Sequence, residues 1–577
     1  MSIARTIRRR ECVVGDGWPD TIPPLLRRVY AARGAHDHAS ARPRLADLLP
    51  PDGLLGLDAA TALLADAIAA DRHILVVGDF DCDGATACAV AVRGLRMLGA
   101  TRVSHAVPNR MVHGYGLSQA LVDELAALQP ELLVTVDHGI ACHAGITAAK
   151  ARGWQVLVTD HHLPGESLPP ADAIVNPNQR GDGFGSRMLA GVGVIFYVLL
   201  ALRRRLREAG RLAGDGPDLS TLLDLVAVGT VADLVPLDAN NRALVSAGLR
   251  RLRAGRGCAG LQALVEVSRR RADVLSAADI GFAIGPRLNA AGRLEDMALG
   301  IECLLCDDPV RARELAGTLD AINAERRAVQ AQMLGDAEAA LAALPTVAMS
   351  PRVAHCLFYD DWHPGVVGLV ASKLKERLHR PVIAFAPGEP GGATLRGSAR
   401  SIPGFHIRDA LAAVDATHPG LVERFGGHAM AAGLTLARAH LEAFEAAFTA
   451  AAGAMLTPDL LQDVIPSDGE LPPDAFDIGH ACALRDGGPW GQGFPEPLFD
   501  GEFDVLSWRQ VGSGHLKLEL GLAGRRLQAI EFGGWTGTPP PARVHVAYRL
   551  TPDDYRGGDA IQLVVVHREP AGSVSPG

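Results

Sequence analysis

No apolar run in the 577 residues reaches the roughly 18 that a membrane-crossing helix needs, and the basic start, residues 1–10, has no apolar stretch after it. These absences argue against a membrane-spanning or secreted protein, so a cytoplasmic one without membrane contact is expected. Cysteine is sparse. The nine thiols are scattered and read as small buried hydrophobes of a reducing compartment, not as a disulfide framework. A basic excess is also missing: 56 Lys and Arg stand against 65 Asp and Glu, a net charge of −9, so bulk electrostatics do not advertise a polyanionic partner. Part of that acidity sits in a few short motifs, and basic residues can still cluster locally. The remaining composition, 48% hydrophobic and 21% charged, is that of a globular protein whose length predicts two to four domains.

The segment Asp160-His161-His162 follows the apolar run Val156-Leu157-Val158 and precedes Leu163-Pro164-Gly165. The run reads as a buried strand and Pro-Gly as a turn, which puts the triplet at a strand's C-terminal end, where open α/β sheets bind ligands. Alone, it reads equally well as an N-cap aspartate with two surface histidines. Two other apolar runs end the same way: residues 74–77 lead through Gly78 to Asp79, Asp81 and Asp83, and residues 132–136 lead to Asp137-His138-Gly139. Five buried aspartates at three strand ends repel one another, and no Arg or Lys stands beside them in these segments. Metal cations are the expected compensation. Mixed carboxylate and imidazole donors suit Mn²⁺ or a similar borderline ion better than Ca²⁺.

Residues 54–72 and about 84–98 read as helices, the second with Gly84 in its opening turn, where close approach to a ligand is easiest. Strand and helix alternation through Val175 predicts an α/β fold with a doubly wound, mostly parallel sheet. The loop 107–117 offers Arg110 as a phosphate clamp and Tyr115 as a base-stacking ring, although by itself it is an ordinary loop. Past Gly193 the chain reads as helical, and the apolar helix 222–231 runs into Asp233 just before Pro236. Residues 285–293 set Arg287, Asn289 and Arg293 among small residues, a composition suited to phosphate contact. Residues 309–344 form a long helix connecting two lobes. From Val353 a second, smaller α/β unit is expected, with strands at 353–359 and 381–386 around a helix at 366–378. Three polar, glycine-bounded loops in it carry His363, then Arg396, Ser398 and Arg400, then Gly427 and His428; they can hold an anion, or their glycines can serve tight packing. After the proline-rich stretch 466–473, alternating strands at 516–520, 526–530, 544–548 and 561–565 suit a C-terminal OB-fold-like barrel, a common single-strand binding module.

The spaced set Asp79, Asp81, Asp83, Asp137, Asp160-His161-His162 and Asp233 resembles the DHH phosphoesterases, and residues 285–293, 362–368, 396–401 and 426–433 are similar to the DHH-associated part of the RecJ family. The resemblance spans nearly the whole chain. It implies an N-terminal extension (1–45), a DHH domain with a helical part (46–305), a connecting helix (306–345), a DHH-associated domain (346–455) and an OB-fold-like domain for single-stranded DNA (470–570). It also implies a single-strand-specific exonuclease that works from the 5′ end in DNA repair and recombination. By motif position, Asp79, Asp81, Asp83, Asp137, His161 and Asp233 are expected to hold two Mn²⁺ or Mg²⁺ ions, with Asp137 bridging, Asp160 orienting a neighbour and His162 facing the scissile phosphate. In-line attack of an activated water then releases 5′-mononucleotides. The Arg, Asn, Ser, His, Gly and Tyr residues named above become the expected substrate contacts. Single-stranded DNA, a single-strand-binding protein and a RecQ-type helicase are the implied partners. Cys82 stands where the family commonly has alanine.

Three rival readings share the motifs. A class II inorganic pyrophosphatase, or a phosphodiesterase for short oligonucleotides or cyclic dinucleotides, resembles only the first two lobes and leaves the β-rich tail unused. A non-catalytic DHH scaffold, like the RecJ-related subunit of the eukaryotic replicative helicase, is expected to have lost ligands, and here all are present.

Overall fold

The computed structural model describes residues 5–109, 112–343, 353–389, 391–427, 429–512, 514–553 and 555–572. Strand β1 (Arg5–Arg9) pairs not with its neighbours but with a segment near the other end of the chain, reached below. The first lobe is built on five strands, β2 (Ile74–Val77), β3 (Val103–Ala106), β4 (Leu132–Val136), β5 (Gln155–Thr159) and β6 (Ala173–Val175), of which the central ones are largely apolar while the edge strand β3 carries Ser104 and His105. Helices cover both faces of a parallel sheet, so its central strands read as continuous Val, Leu and Ile with no polar alternation. All pairings are parallel and the order is β3-β2-β4-β5-β6. Counted from its own first strand, this is a 2-1-3-4-5 sheet whose order reverses between β2 and β4. The crevice at that reversal is where such sheets bind ligands.

The helix Cys82–Met97 follows β2 and is buried along nearly its whole length by the helices Gly191–Glu208 and Leu223–Ala232. Gly94 lies at the first of these contacts, against Leu199, and Gly248 lets the helix Ala239–Arg253 lie against the Leu223 carbonyl of the helix Leu223–Ala232. The 35-residue helix Pro309–Ala343 leads to the second lobe. There a mixed sheet runs β10-β11-β9-β8-β7, with β7 (His355–Phe358) parallel to β8 (Val382–Pro387), and β9 (Thr394–Arg400), β10 (Arg424–Gly427) and β11 (Ala431–Ala437) antiparallel. Two of the expected loops are therefore strands. Residues 394–400 alternate buried and less buried side chains, with Leu395, Gly397 and Ala399 inward. Gly and Ser hide this two-residue period and give the segment the composition of a loop.

Strand β12 (Asp463–Ser467) is the partner of β1, in parallel register from Arg5 opposite Asp463 to Arg9 opposite Ser467. Beyond it, β13 (Phe499–Val511), β14 (His515–Leu522), β15 (Arg525–Glu531), β16 (Arg543–Pro552) and β17 (Ile561–Pro570) close into a barrel in the order β13-β14-β15-β17-β16. The 13-residue β13, absent from the expected strands, bends between Val505 and Ser507, and a bulge of this kind helps a long strand close a small barrel. The N-terminal segment is not a loose extension: Trp18, Leu26 and Tyr30 join the core of the first lobe, and Tyr30 stacks with Trp490 and Phe494. Asp468 and Arg33, both 1% exposed at the side chain, form a two-pronged pair at 2.9 Å, and Arg9 reaches the buried Asp500. One apolar core runs continuously from the first lobe into the barrel, whereas the second lobe has cores of its own. Tail removal, the natural test of a separate barrel, would therefore open the first lobe's core. All nine cysteines are free; Cys303 and Cys306 stand in a Cys-x-x-Cys spacing within the first lobe, which the impression of scattered thiols overlooks. Among the described residues no helix is long and apolar enough to cross a membrane.

Candidate metal centre

The loop after β2 is folded back by two glycines. A Cβ on Gly84 would lie 2.5 Å from Asp79 N, and one on Gly78 2.9 Å from the Gly84 carbonyl. The close approach expected at Gly84 is thus to the chain's own backbone, not to a ligand. Asp81 caps the helix Cys82–Met97, accepting from Gly84 N at 3.0 Å, which leaves its second oxygen for other work. Asp83 is 1% exposed and accepts from Gly191 N at 2.7 Å and Val192 N at 3.0 Å, the positive start of the helix Gly191–Glu208. Asn289 Oδ1 accepts from Cys82 N at 2.8 Å, and Gly292 lets the helix Gly285–Leu294 lie against the Phe80 carbonyl. Asn289 therefore positions the aspartate loop.

Asp137 leaves β4 with φ +65°, a left-handed conformation that Asp tolerates better than most residues. It is 2% exposed, and Gly191 faces it with no room for a side chain: a Cβ there would sit 2.4 Å from Asp137 Oδ1. The buried His138 holds the neighbouring strand end through Nε2, 3.0 Å from the Val77 carbonyl. Asp160 faces its own loop. Its Oδ1 accepts from His161 N (2.7 Å), His162 N (3.0 Å) and His162 Nδ1 (2.7 Å), and its Oδ2 from Ile140 N (2.9 Å). Burial opposes its ionisation, but the bond and charge of His162 hold it well below the usual carboxylate range. In return, and again against burial, Asp160 lifts His162 to about 9, so a cationic imidazole faces the crevice with Nε2 3.4 Å from the Tyr115 hydroxyl. Asp160 is a positioning residue. Asp160→Asn is expected to leave at least one of these buried N–H groups facing an amide, lowering stability by about 1–3 kcal/mol together with activity; thermal melting of the metal-free chain measures it.

The remaining donors converge. His161 Nε2 is 3.1 Å from Asp137 Oδ1 and 3.5 Å from Asp233 Oδ2, with Asp233 placed by the end of the helix Leu223–Ala232. Three overlapping groups of donors each lie within 4.8 Å: Asp137, His161 and His162; Asp83, His161 and Asp233; Asp79, Asp81 and Asp137. Burial first, and mutual repulsion second, push Asp83 up to about 7 and Asp137 and Asp233 well above the carboxylate range. Asp137 Oδ1 is buried and receives no hydrogen bond. These residues fit divalent ions: six-coordinate bonds of about 2.1 Å put donors about 3 to 4 Å apart, and the donors of each group here lie within 4.8 Å of one another.

The second lobe touches this assembly through Arg293, whose Nη1 donates to the Gly365 carbonyl at 3.2 Å. His363 Nδ1 accepts from Gly365 N and so shapes that turn, and burial lowers its pKa. On β9, Arg396, Ser398 and Arg400 share one face. Arg400 donates to Ser398 Oγ (2.9 Å), the Ala399 carbonyl (2.8 Å) and Ser372 Oγ (3.1 Å), and with Ser398 it overlies Gly368 in the first turn of the helix Val367–Leu378. Gly427, with φ +138°, closes the β10–β11 hairpin against Ala431. Arg287 is a correction: it is not free for phosphate but 9% exposed, gripping Asp320 through Nε and Nη2 at 2.9 and 2.8 Å and donating to the Ala283 carbonyl, so it fastens the long helix. Tyr115 is half exposed, edge-on to Phe80. Arg110 and His428 lie outside the described residues. Sequence reasoning missed His138, the backbone N–H groups of Gly191 and Val192, and Asn176 and Asn178, which donate to the His162 and His161 carbonyls at 2.8 and 2.6 Å. The Asn-Pro-Asn turn after β6 was a usable signal; the bare amides gave none.

Residues 73–230 match the DHH family N-terminal domain, 350–457 the DHHA1 domain and 467–567 the RecJ OB domain. Over 99% of its length the chain is 48% identical to the single-stranded-DNA-specific exonuclease RecJ of Dickeya dadantii, covering all of that protein. The chain belongs to the RecJ family. RecJ of Escherichia coli is 47% identical over 97% of the chain and 98% of its own length. Among solved structures, RecJ of Thermus thermophilus in complex with Mn²⁺ matches 98% of this chain and 80% of that one, with a TM-score of 0.79 and 31% identity, and its Mg²⁺ complex gives 0.74 and 29%.

Proposed function

We propose that this RecJ-family chain is a metal-dependent exonuclease that hydrolyses single-stranded DNA from the 5′ end and releases 5′-mononucleotides. The observation that carries the reading is the convergence of three donor groups linked pairwise, two through Asp137 and two through His161, the arrangement two adjacent ions need. Asp79, Asp81, Asp83, Asp137, His161 and Asp233 would hold Mn²⁺ or Mg²⁺, which when bound polarises the phosphate and supplies a nucleophilic water. The chain's own residues do the rest. Asp160 fixes the two histidines, and His162, held through Nδ1 with its Nε2 toward the crevice and the Tyr115 hydroxyl, stands where it can interact with the phosphate oxygens. Arg400 and Ser398, over the start of the helix Val367–Leu378, would grip the terminal phosphate. A cytoplasmic setting, and supply of single strands by a RecQ-type helicase with a single-strand-binding protein, belong to the same reading. End-labelled single- and double-stranded DNA digested with Mn²⁺, Mg²⁺ or chelator should give mononucleotides from the single strand alone and none with chelator; duplex degradation at an equal rate would overturn it.

The barrel supports the substrate class. Trp508 and Trp535 stack at 5.3 Å on its surface, and Arg509 stands opposite Lys517 on β13 and β14, a like-charge pair that a phosphate backbone would relieve. Arg509→Ala with Lys517→Ala is expected to flatten the dependence of log affinity on log salt by about 0.7 per lost phosphate contact. Fluorescence anisotropy with a long labelled strand measures the slope.

A further inference from the structure

A groove of about 830 Å³ begins beside the metal centre, where Ala232 and Leu234 flank Asp233, and crosses to the segment before the barrel. Arg42, Arg44, Arg250, Arg253 and Arg485 line it, against Glu376, Asp486 and Glu496. Among the described residues Arg42, Arg250 and Arg253 have no carboxylate in ion-pair reach. A second cavity of about 400 Å³ shares Ser276, Arg485 and Glu496 with it and adds Arg269, Arg270, Arg271 and Arg549, ending on Leu550, Thr551 and Pro552 of β16. Several of these arginines are paired locally, Arg44 with Asp47, Arg270 with Asp279, Arg271 with Asp273, Arg485 with Asp486 and Arg549 with Glu496, so the cations the groove itself offers a strand are chiefly Arg42, Arg250 and Arg253.

Two apolar side chains stand in this groove where packing cannot explain them. Phe282 is 84% exposed and Leu234 71%. Both are held by unusual backbone. Leu234 has φ +61°, a region that Leu rarely adopts. Phe282 sits in a π-helical turn, Ile280–Ile284. Pro286, four residues on, has no N–H to give the Phe282 carbonyl, so the α-helical ladder cannot continue through that turn. Gly281 brings the turn to the helix carrying Asp233: a Cβ on it would lie 3.7 Å from Val231. Locally unfavourable backbone that exposes apolar groups beside a catalytic crevice is the pattern of strain kept for function.

We infer that Phe282 and Leu234 form an apolar step that receives an unpaired nucleobase of the strand while the groove's arginines hold its backbone, making these two residues determinants of single-strand selectivity. A base already stacked and paired in a duplex offers no free face to the step. The inference rests on the nuclease reading above and adds to it where the strand is read.

The test uses the full chain without metal, so that no strand is cut, and 12-nucleotide strands carrying one abasic site at successive positions. Phe282→Ala should weaken binding of the intact strand about tenfold, the scale of one lost base–aromatic stack. One abasic position should weaken the wild type equally and have no further effect in Phe282→Ala, and Phe282→Trp should restore both affinity and position. With Mn²⁺, Phe282→Ala should raise KM for single strands far more than it lowers kcat. Unchanged affinity in Phe282→Ala, or an abasic penalty identical in wild type and variant, overturns the step while leaving the nuclease intact. A wild-type chain that neither binds nor cuts single strands overturns both.

Discussion

Asp137→Asn is expected to lower Mn²⁺-dependent hydrolysis by roughly three orders of magnitude or more while raising the melting temperature of the metal-free chain. Both effects come from one carboxylate. It belongs to two of the three donor groups, so its loss disturbs the binding of either ion, and several kcal/mol of charge stabilisation translate at about 1.36 kcal/mol per decade into that loss of rate. Without ions, the same oxygen is buried among Asp79, Asp81, Asp83 and Asp233, and Asn removes the repulsion while keeping the shape and tolerating φ +65°. Ion binding stabilises the folded chain by mass action, so the rise in melting temperature on adding Mn²⁺ should shrink or vanish in the variant. Calorimetry with and without the ion separates the two terms. A variant that keeps a tenth of the activity, or melts lower without metal, would remove Asp137 from the centre. The contrast with Asp160→Asn is sharp, since that residue is fully hydrogen-bonded and its loss should destabilise the chain with or without metal.

Arg400→Ala is expected to abolish the preference for 5′-phosphorylated over 5′-hydroxyl strands, raising KM for the former by about one to two orders of magnitude with a smaller effect on kcat. A terminal phosphate carries more charge than an internal one, and the planar guanidinium can grip two of its oxygens. In the folded chain that guanidinium is already braced by Ser398, Ser372 and a carbonyl, so little side-chain freedom is lost on binding. Arg287, whose small-residue surroundings suggested a phosphate contact, is spent on Asp320, and Arg287→Ala should act through stability instead. Side-by-side kinetics on the two substrates decide the matter, and an unaltered preference in Arg400→Ala would move end recognition elsewhere.

The first lobe was legible because its three central strands are largely apolar runs that stop at aspartates, and because a parallel sheet delivers such ends to one edge. The aspartates of the first two strand ends and the DHH triplet could be read directly, since burying so many carboxylates together makes sense only with cations. What could not be read was division of labour. Spacing and burial alone do not distinguish Asp160, turned toward backbone amides, from Asp137, turned toward His161; only the family motif separated an orienting aspartate from a bridging one. Arg287 and Arg400 both stand among small residues, and only the approach of Asp320 from 33 positions away separates a brace from a binding group. Strand β9 escaped notice because glycine and serine mask its alternation, and β13 because Asp500, Gly501 and Asp504 interrupt its apolar pattern. Phe282 and Leu234 give no signal at all, since an exposed apolar residue is visible only once the backbone is placed.

The pairing of β1 with β12 has a consequence for how the molecule is made. Arg5 and Asp463 are separated by 458 positions, so the first strand to leave the ribosome has no partner until nearly four-fifths of the chain has followed it. At the usual pace of synthesis that interval is on the order of a minute, during which an unpaired edge is open to any other nascent strand. Arg5, Arg8, Arg9 and Arg10 give this waiting strand a dense positive charge, which keeps two copies apart until the acidic Asp463, Asp468 and Asp500 arrive to neutralise it. The pairing of β1 with β12 is thereby a late event of assembly, with the barrel strands still to follow, and a chain that stalls before residue 463 is left with its beginning unsecured.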